Sequence, residues 1–379
     1  MNKKSILILA IGFLPNIGGL ETHLKDLIDE LIIKEWKVVV LTYQPLHTPV
    51  LGKWVEKKGR LRVYRLPSLK GLFYKLLKTP ILEFIFLEPL LFLTTSLILI
   101  MYPNIKIING QGLIAGFTAS FWAKVFNKRY VVSAQSVYKF PKKGLYRKIC
   151  EWIFKSANKV VAISGQSAKS IEELGVPKRN IQIYTNWENS SFFIPMDKKM
   201  AKEKAGFSSN FVVSFFGRLV EEKGIKVLLK AIKLCDKKIF FAIYGEGPLV
   251  DEVLKISQEF KNVKYMKIIQ PELLPLHYSA ADLVIMPSLH EEGFGRVAAG
   301  ALLCSTPVIA SNKGALPDIV NNSVGEVINP TPENLAKVIN FLYTHPKQLE
   351  TKALRCREYA LSKFSEKNAE EIITAYDFI

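Results

Sequence analysis

Short apolar runs alternate with longer helix-like stretches along the whole chain, and this alternation restricts the fold more than any other feature. Such a pattern is the mark of βαβ units wound around a parallel sheet. A first series of strand-like runs covers Ile6–Ile11, Lys37–Thr42, Arg62–Leu66, Ile105–Asn109, Tyr130–Ala134, Lys159–Ile163 and Ile181–Tyr184. Helical stretches such as Leu20–Ile33, Leu113–Phe126 and Leu145–Ser156 lie between them. Residues Trp187–Asn210 are polar, Lys-rich and aperiodic, which reads as a linker. A second series follows at Phe211–Phe216, Ile239–Tyr244, Val263–Lys267, Leu283–Met286 and Val308–Ala310. Two consecutive doubly wound α/β domains are expected, 1–190 and 191–364, facing each other across a cleft. Ligands of such sheets sit outside the carboxyl ends of the strands.

The 379 residues suffice for two cores, and 49% hydrophobic with 23% charged residues fits a globular chain. The net charge of +18 is lopsided: residues 1–192 hold 28 Lys+Arg against 12 Asp+Glu, and the rest 24 against 22. Clusters at Lys53/Lys57/Lys58/Arg60/Arg62/Arg65 and Lys139/Lys142/Lys143/Arg147/Lys148 are either a solvated basic face or a surface for something anionic. No nucleic-acid module accompanies them, so an anionic membrane is the better partner. The apolar stretch Pro80–Met101 contains Glu83, Glu88 and Pro89 and is expected not to span. It is read as one or two helices packed on a sheet, or as a partial dip into the lipid interface aided by Lys70, Lys75 and Lys78. Cys150, Cys235, Cys304 and Cys356 show no CxxC spacing, and no secretory signal stands out, so a reducing cytoplasm is expected.

Four loops carry chemistry. Gly12-Phe13-Leu14-Pro15-Asn16-Ile17-Gly18-Gly19 joins the first strand to a helix, where backbone N–H groups and the helix dipole favour an anion. Phe216-Gly217-Arg218 and Lys223-Gly224 open the second sheet, and a planar guanidinium and an ammonium five residues apart can converge on one diphosphate. Tyr244-Gly245-Glu246-Gly247-Pro248 ends the next strand with glycines. Pro287-Ser288-Leu289-His290-Glu291-Glu292-Gly293-Phe294-Gly295-Arg296, followed by Thr306-Pro307-Val308-Ile309-Ala310, sets a carboxylate and a Gly-Phe-Gly turn before a helix. His23 and His290 flank two of these loops.

Taken in order over nearly the whole chain, these motifs resemble glycosyltransferase family 4, retaining enzymes of the GT-B fold. The resemblance implies two Rossmann-like domains, with a C-terminal helix, 365–379, crossing back to the first. It implies a nucleotide-sugar donor, UDP- or GDP-linked, on the second domain and an acceptor on the first; the basic first half and the apolar Pro80–Met101 point to a lipid-linked or polysaccharide acceptor at the inner face of the membrane. It gives catalytic roles to Arg218, Lys223 and Glu292 and donor contacts to Gly18, Gly19, Gly217, Gly245, Glu246, Gly293, Phe294, Gly295 and Gly300. Asn109, Gln111 and Gln135 fall on the acceptor side. No Asp-x-Asp pair occurs, so neither a metal nor another cofactor is expected and the two cations carry the electrostatic work.

The chain departs from that pattern in places. The family carries a second glutamate eight residues after the first, binding ribose, where this chain has Gly300. A carboxylate restored there is expected to strengthen nucleotide binding. Gln111 and Gln135 stand where many members have histidines; an amide can hydrogen-bond a hydroxyl but cannot act as a base near neutral pH. Two alternatives follow: a nucleotide-sugar binder impaired in catalysis, and a nucleotide-sugar epimerase.

Overall fold

The computed structural model describes residues 4–16, 18–45, 50–68, 80–136, 138–208 and 211–377. The proposed membrane helpers Lys70, Lys75 and Lys78 lie outside them. Contacts divide the chain into two units, Met1–Asn186 with Lys367–Ile379, and Trp187–Glu366. These boundaries lie a few residues from the expected ones.

In the first unit the order is β1 (Ser5–Leu9), α1 (Gly19–Ile33), β2 (Lys37–Tyr43), β3 (Val55–Lys58), β4 (Leu61–Leu66), α2 (Pro80–Met101) and β5 (Ile107–Gln111). It continues through α3 (Gly112–Val125), β6 (Arg129–Ala134), α4 (Leu145–Lys155), β7 (Lys159–Ala162), α5 (Gly165–Glu172) and β8 (Ile181–Ile183). The sheet runs β3-β4-β2-β1-β5-β6-β7-β8 and is parallel except at the β3/β4 hairpin. Strands covered on both faces need apolar residues throughout, and β1 is buried at every position, as Ser-Ile-Leu-Ile-Leu permits.

The second unit contains α6 (Lys198–Lys204), β9 (Val212–Phe216), α7 (Ile225–Ile232), β10 (Phe240–Tyr244), α8 (Val250–Glu259), β11 (Val263–Tyr265), α9 (Leu274–Ala280) and β12 (Leu283–Met286). Then come α10 (Arg296–Leu303), β13 (Val308–Ser311), α11 (Leu316–Ile319), β14 (Gly325–Ile328), α12 (Pro332–Thr344) and α13 (Pro346–Phe364). Its parallel sheet runs β11-β10-β9-β12-β13-β14. The last helix, α14 (Ala369–Asp377), belongs to the first unit. There Glu371 accepts a hydrogen bond from the Thr185 amide at 2.9 Å, and Asp377 pairs with Lys4 at 2.6 Å. The expected return of the C-terminal helix is thus realised.

One expectation is corrected. Residues 187–210 are not simply a linker: Trp187, Phe193, Ala201 and Phe207 are buried, and Asp197 caps α6 by accepting from the Met200 amide at 2.9 Å. Polar composition hid a helix that anchors through single apolar residues. Of the one or two helices expected over Pro80–Met101, the structure has one, 22 residues long, running through both glutamates and Pro89. By length and composition its Leu82–Met101 part could cross a membrane, with mean hydropathy 2.2 and about 33% of it buried.

Candidate functional site

Strand order reverses between β1 and β5 in the first sheet and between β9 and β12 in the second, and loops diverging at such a switch leave a crevice. Most of the residues singled out from sequence gather at these two places.

In the second unit, Gly217 and Arg218 leave β9 and Ser288–Glu292 leave β12. Lys223 Nζ lies 2.6 Å from Glu292 Oε1, which also accepts from Ser288 Oγ at 2.6 Å. His290 Nε2 is 3.5 Å from the other carboxylate oxygen. Glu292 is buried, so its charge is balanced by an ammonium and hydrogen bonds instead of by water. The two loops are pressed together: the Leu289 amide donates to Glu222 O at 2.8 Å, and Gly224 sits at φ 74° against the Pro287 carbonyl, where any Cβ would collide. Arg218 differs from Lys223. It is exposed, and among the described residues its guanidinium makes no hydrogen bond or ion pair.

Beside it lies a cavity of about 500 Å³ lined by Gly217, Arg218, Gly245 and Glu246 with an apolar wall that includes Ile269 and Tyr278. Gly245, at φ 132°, lets the β10 loop approach the Gly217 carbonyl more closely than a Cβ allows. Phe216 stacks on Tyr244 with ring centroids 4.3 Å apart and meets Tyr278 edge-on at 4.7 Å. An apolar, aromatic floor with a free cation at its rim suits a flat heterocycle joined to an anion.

Three sequence-picked residues fall elsewhere. Phe294 is buried, with its ring 5.7 Å from Phe364, so it supports the Gly293–Gly295 turn from the core side. Gly295, at φ 96°, begins α10 against Leu316. Gly300 does not line the cavity; a Cβ there would lie 2.8 Å from the Tyr278 ring and 3.3 Å from Phe193. The space a longer side chain would need is occupied by aromatic carbon, so the expectation that a carboxylate at this position strengthens nucleotide binding is withdrawn.

At the first unit's switch point, Gly18 has extended backbone and lies beside the Glu21 carboxylate. The carboxylate of Glu21 occupies the space its Cβ would take and accepts from Asn16 Nδ2 at 2.5 Å. A buried carboxylate against Gly12 and Gly18, in the first turn of α1, places negative charge where the spacing had pointed to phosphate. Across the switch, Asn109, Gln111 and Gln135 form one hydrogen-bonded chain. Gln135 Nε2 donates to Gln111 Oε1 at 2.5 Å, and Gln111 Nε2 to Asn109 Oδ1 at 2.5 Å. Tyr184 Oη donates to Gln135 Oε1 at 3.1 Å and Tyr376 Oη to Asn109 Oδ1 at 3.1 Å. His23 stacks on Tyr184 at 5.3 Å. Asn109 is fully buried and structural, whereas Gln135 is partly exposed. The two tyrosines were not anticipated, because each lies far in sequence from the amide it holds. Among the described residues no three His, Cys, Asp or Glu side chains converge as metal ligands would.

Comparison with known proteins agrees in both halves. The family model for glycosyl transferases group 1 matches residues 197–363, and that for Glycosyltransferase Family 4 matches residues 17–187. An uncharacterized 41.2 kDa protein in the cps region of Klebsiella pneumoniae is 29% identical over 69% of this chain and 76% of its own length. The gpi3 subunit of phosphatidylinositol N-acetylglucosaminyltransferase of Schizosaccharomyces pombe is 26% identical over 88% and 71%. Among solved structures, Anabaena Alr3699/HepE in complex with UDP superposes with TM-score 0.77 at 18% identity, covering 99% of this chain and 100% of its own.

Proposed function

The chain belongs to the group 1, family 4 glycosyltransferases of the GT-B fold, and on that premise we propose that it is a metal-independent hexosyltransferase using a UDP- or GDP-sugar. The observation that carries this reading is the arrangement at the β9/β12 switch: a free Arg218 at the rim of an aromatic cavity, next to a Lys223–Glu292 pair. The nucleoside occupies the cavity, Arg218 takes the diphosphate, and Lys223 is shared between the diphosphate and Glu292. Glu292 holds hydroxyls of the transferred sugar. Both cations stabilise negative charge as it builds on the leaving nucleoside diphosphate, which lowers the barrier to breaking the anomeric C–O bond.

Transfer proceeds with retention. The acceptor hydroxyl attacks the anomeric carbon on the face the diphosphate leaves, and the departing phosphate oxygen takes its proton, so no histidine base is required at Gln111 or Gln135. The acceptor is a lipid-linked or polysaccharide glycan at the inner membrane face; the name of the Schizosaccharomyces pombe relative, a transferase acting on phosphatidylinositol, supports a glycolipid. Release of UDP or GDP from a panel of nucleotide-sugars in the presence of lipid-linked acceptors tests the reading. Turnover that is lost in Glu292→Ala supports it, and absence of turnover with every donor and acceptor counts against it.

A second reading, a nucleotide-sugar binder without transfer, is favoured by one observation: Tyr278 and Phe193 crowd Gly300, which stands where the resemblance noted above implies a second glutamate. Nucleotide-sugar binding with no turnover would select it.

A further inference from the structure

We propose that the first unit docks on an anionic lipid bilayer through the outer face of α2, which lies in the plane of the interface and does not cross it. The proposal rests on the reading of a membrane acceptor above and names the surface that meets the membrane.

A helix that is apolar all round is covered on all sides, by protein or by lipid. Helix α2 is covered on one side only. Leu87, Leu91 and Ile98 join the core of the first unit, and the Phe92 carbonyl accepts from Trp122 Nε1 at 2.9 Å. The opposite stripe follows helical spacing and faces solvent, with Ile85 59%, Leu93 62%, Leu97 59% and Ile100 66% exposed. The stripe continues onto α3, because Phe92 packs on Phe121 at 4.9 Å and Phe121 and Val125 are themselves exposed. A rise of about 1.5 Å per residue makes the stripe from Ile85 to Ile100 roughly 23 Å long. An apolar surface of this extent on a soluble domain marks an interaction site.

Charge decides the occupant. At the carboxyl end of α2, Tyr64 Oη is 2.6 Å from Tyr102 Oη and 3.7 Å from Met101 Sδ, and Tyr64 belongs to the hairpin that carries Lys57, Lys58, Arg60 and Arg62. Toward the amino end, Tyr146 of α4 has its phenol raised by burial and, to a smaller extent, by the charge of Glu83, and exposed Lys142, Lys143 and Lys148 lie within three residues of the exposed Leu145. Cations at both ends of an apolar ridge repel a second copy of the same surface and attract anionic headgroups. Crossing the bilayer would strip α2 from the core it helps to build, exposing Leu91 and Ile98 together with their partners. Lying in the interface, with its apolar side a few ångströms into the acyl boundary, keeps both faces covered.

Flotation of the full-length protein with phosphatidylcholine vesicles, with and without phosphatidylglycerol, tests this. Binding is expected only with phosphatidylglycerol, to weaken in high salt, and to be released by alkaline carbonate. The triple variant Leu93→Gln, Leu97→Gln, Ile100→Gln is expected to lower partitioning at least about tenfold, while binding UDP or GDP as before. The charge variant Lys142→Gln, Lys143→Gln, Lys148→Gln is expected to lose most of the phosphatidylglycerol dependence, and it decides the matter should the first variant fail to fold. Unchanged partitioning of a folded variant, absence of binding to either vesicle, or resistance to carbonate overturns the proposal. So does a wild-type dimer that the triple variant dissolves without any vesicle binding. Vesicle binding without sugar transfer would sink the enzymatic reading and leave this surface standing.

Discussion

Lys223 Nζ and Glu292 Oε1 are 2.6 Å apart, joining the loop after β9 to the loop after β12 across the point where strand order reverses. The ammonium is therefore already partly neutralised before any ligand arrives. The carboxylate is held by Ser288 as well, so Glu292 keeps its place when Lys223 turns toward a phosphate.

A split between binding and transfer follows from that pair. In Glu292→Gln, Lys223 is released from its partner, and affinity for free UDP or GDP is expected to stay equal or rise by a few-fold, while transfer falls on the order of 10²–10³-fold through loss of transition-state hydrogen bonding. Calorimetry with the nucleotide and initial rates with the nucleotide-sugar measure the two arms. A parallel fall in both would place Glu292 in nucleotide binding instead.

Gly300 is expected to tolerate no side chain. A Cβ at 2.8 Å from the Tyr278 ring overpacks the core between α9 and α10, which costs about 1–3 kcal/mol. Gly300→Glu should lower the melting temperature by several degrees without tightening nucleotide binding, and Gly300→Ala should cost less than Gly300→Glu. Thermal melts with and without UDP and GDP check this.

The amide chain of the first unit ties α14 to β5 through Tyr376 and Asn109. Tyr376→Phe deletes one buried hydrogen bond and should cost about 0.5–1.5 kcal/mol, whereas Asn109→Ala leaves several partners unsatisfied and should cost more. Denaturant melts order the two; equal costs would mean that Asn109 is not the centre of the network.

Burial raises Glu88 from 4.5 to about 8, with Thr118 Oγ1 donating to one oxygen at 2.7 Å and the other oxygen buried without a hydrogen bond among the described residues. The folded state thus holds a proton that the unfolded state releases. The associated stability is fully present below pH ~4.5 and is lost as pH rises through about 8. Glu88→Gln should therefore be more stable than wild type at alkaline pH, on the order of 2–4 kcal/mol, and its stability should vary less between these limits. Melts across that range measure it; identical profiles would mean that Glu88 ionises freely in the folded protein.

Much of this was legible in the chain because strands buried on both faces must be continuously apolar, as Leu283–Met286 is in both the expected and the observed assignments. Strand β3 was not foreseen: Val-Glu-Lys-Lys is an edge strand whose charges guard an open side, so no apolar run betrays it. The loops at the second switch point could be picked out because their glycines and charges sit at strand ends. The role of individual residues was less visible. Gly18 lies against the Glu21 carboxylate and Gly300 against the Tyr278 ring, and those contacts depend on packing that spacing does not encode. Tyr376 reaches Asn109 over 267 residues, beyond any local pattern.

Everything proposed for catalysis depends on Arg218 receiving a diphosphate at the rim of the aromatic cavity. Titration calorimetry of UDP and UMP, and of GDP and GMP, against the wild type and Arg218→Ala tests that most directly. The wild type should prefer the diphosphate of one base, and Arg218→Ala should lose about 10- to 100-fold in diphosphate affinity, equivalent to 1.5–3 kcal/mol for a hydrogen bond to a charged group, with monophosphate binding and melting temperature unchanged. Equal diphosphate affinity in the two proteins would contradict the account.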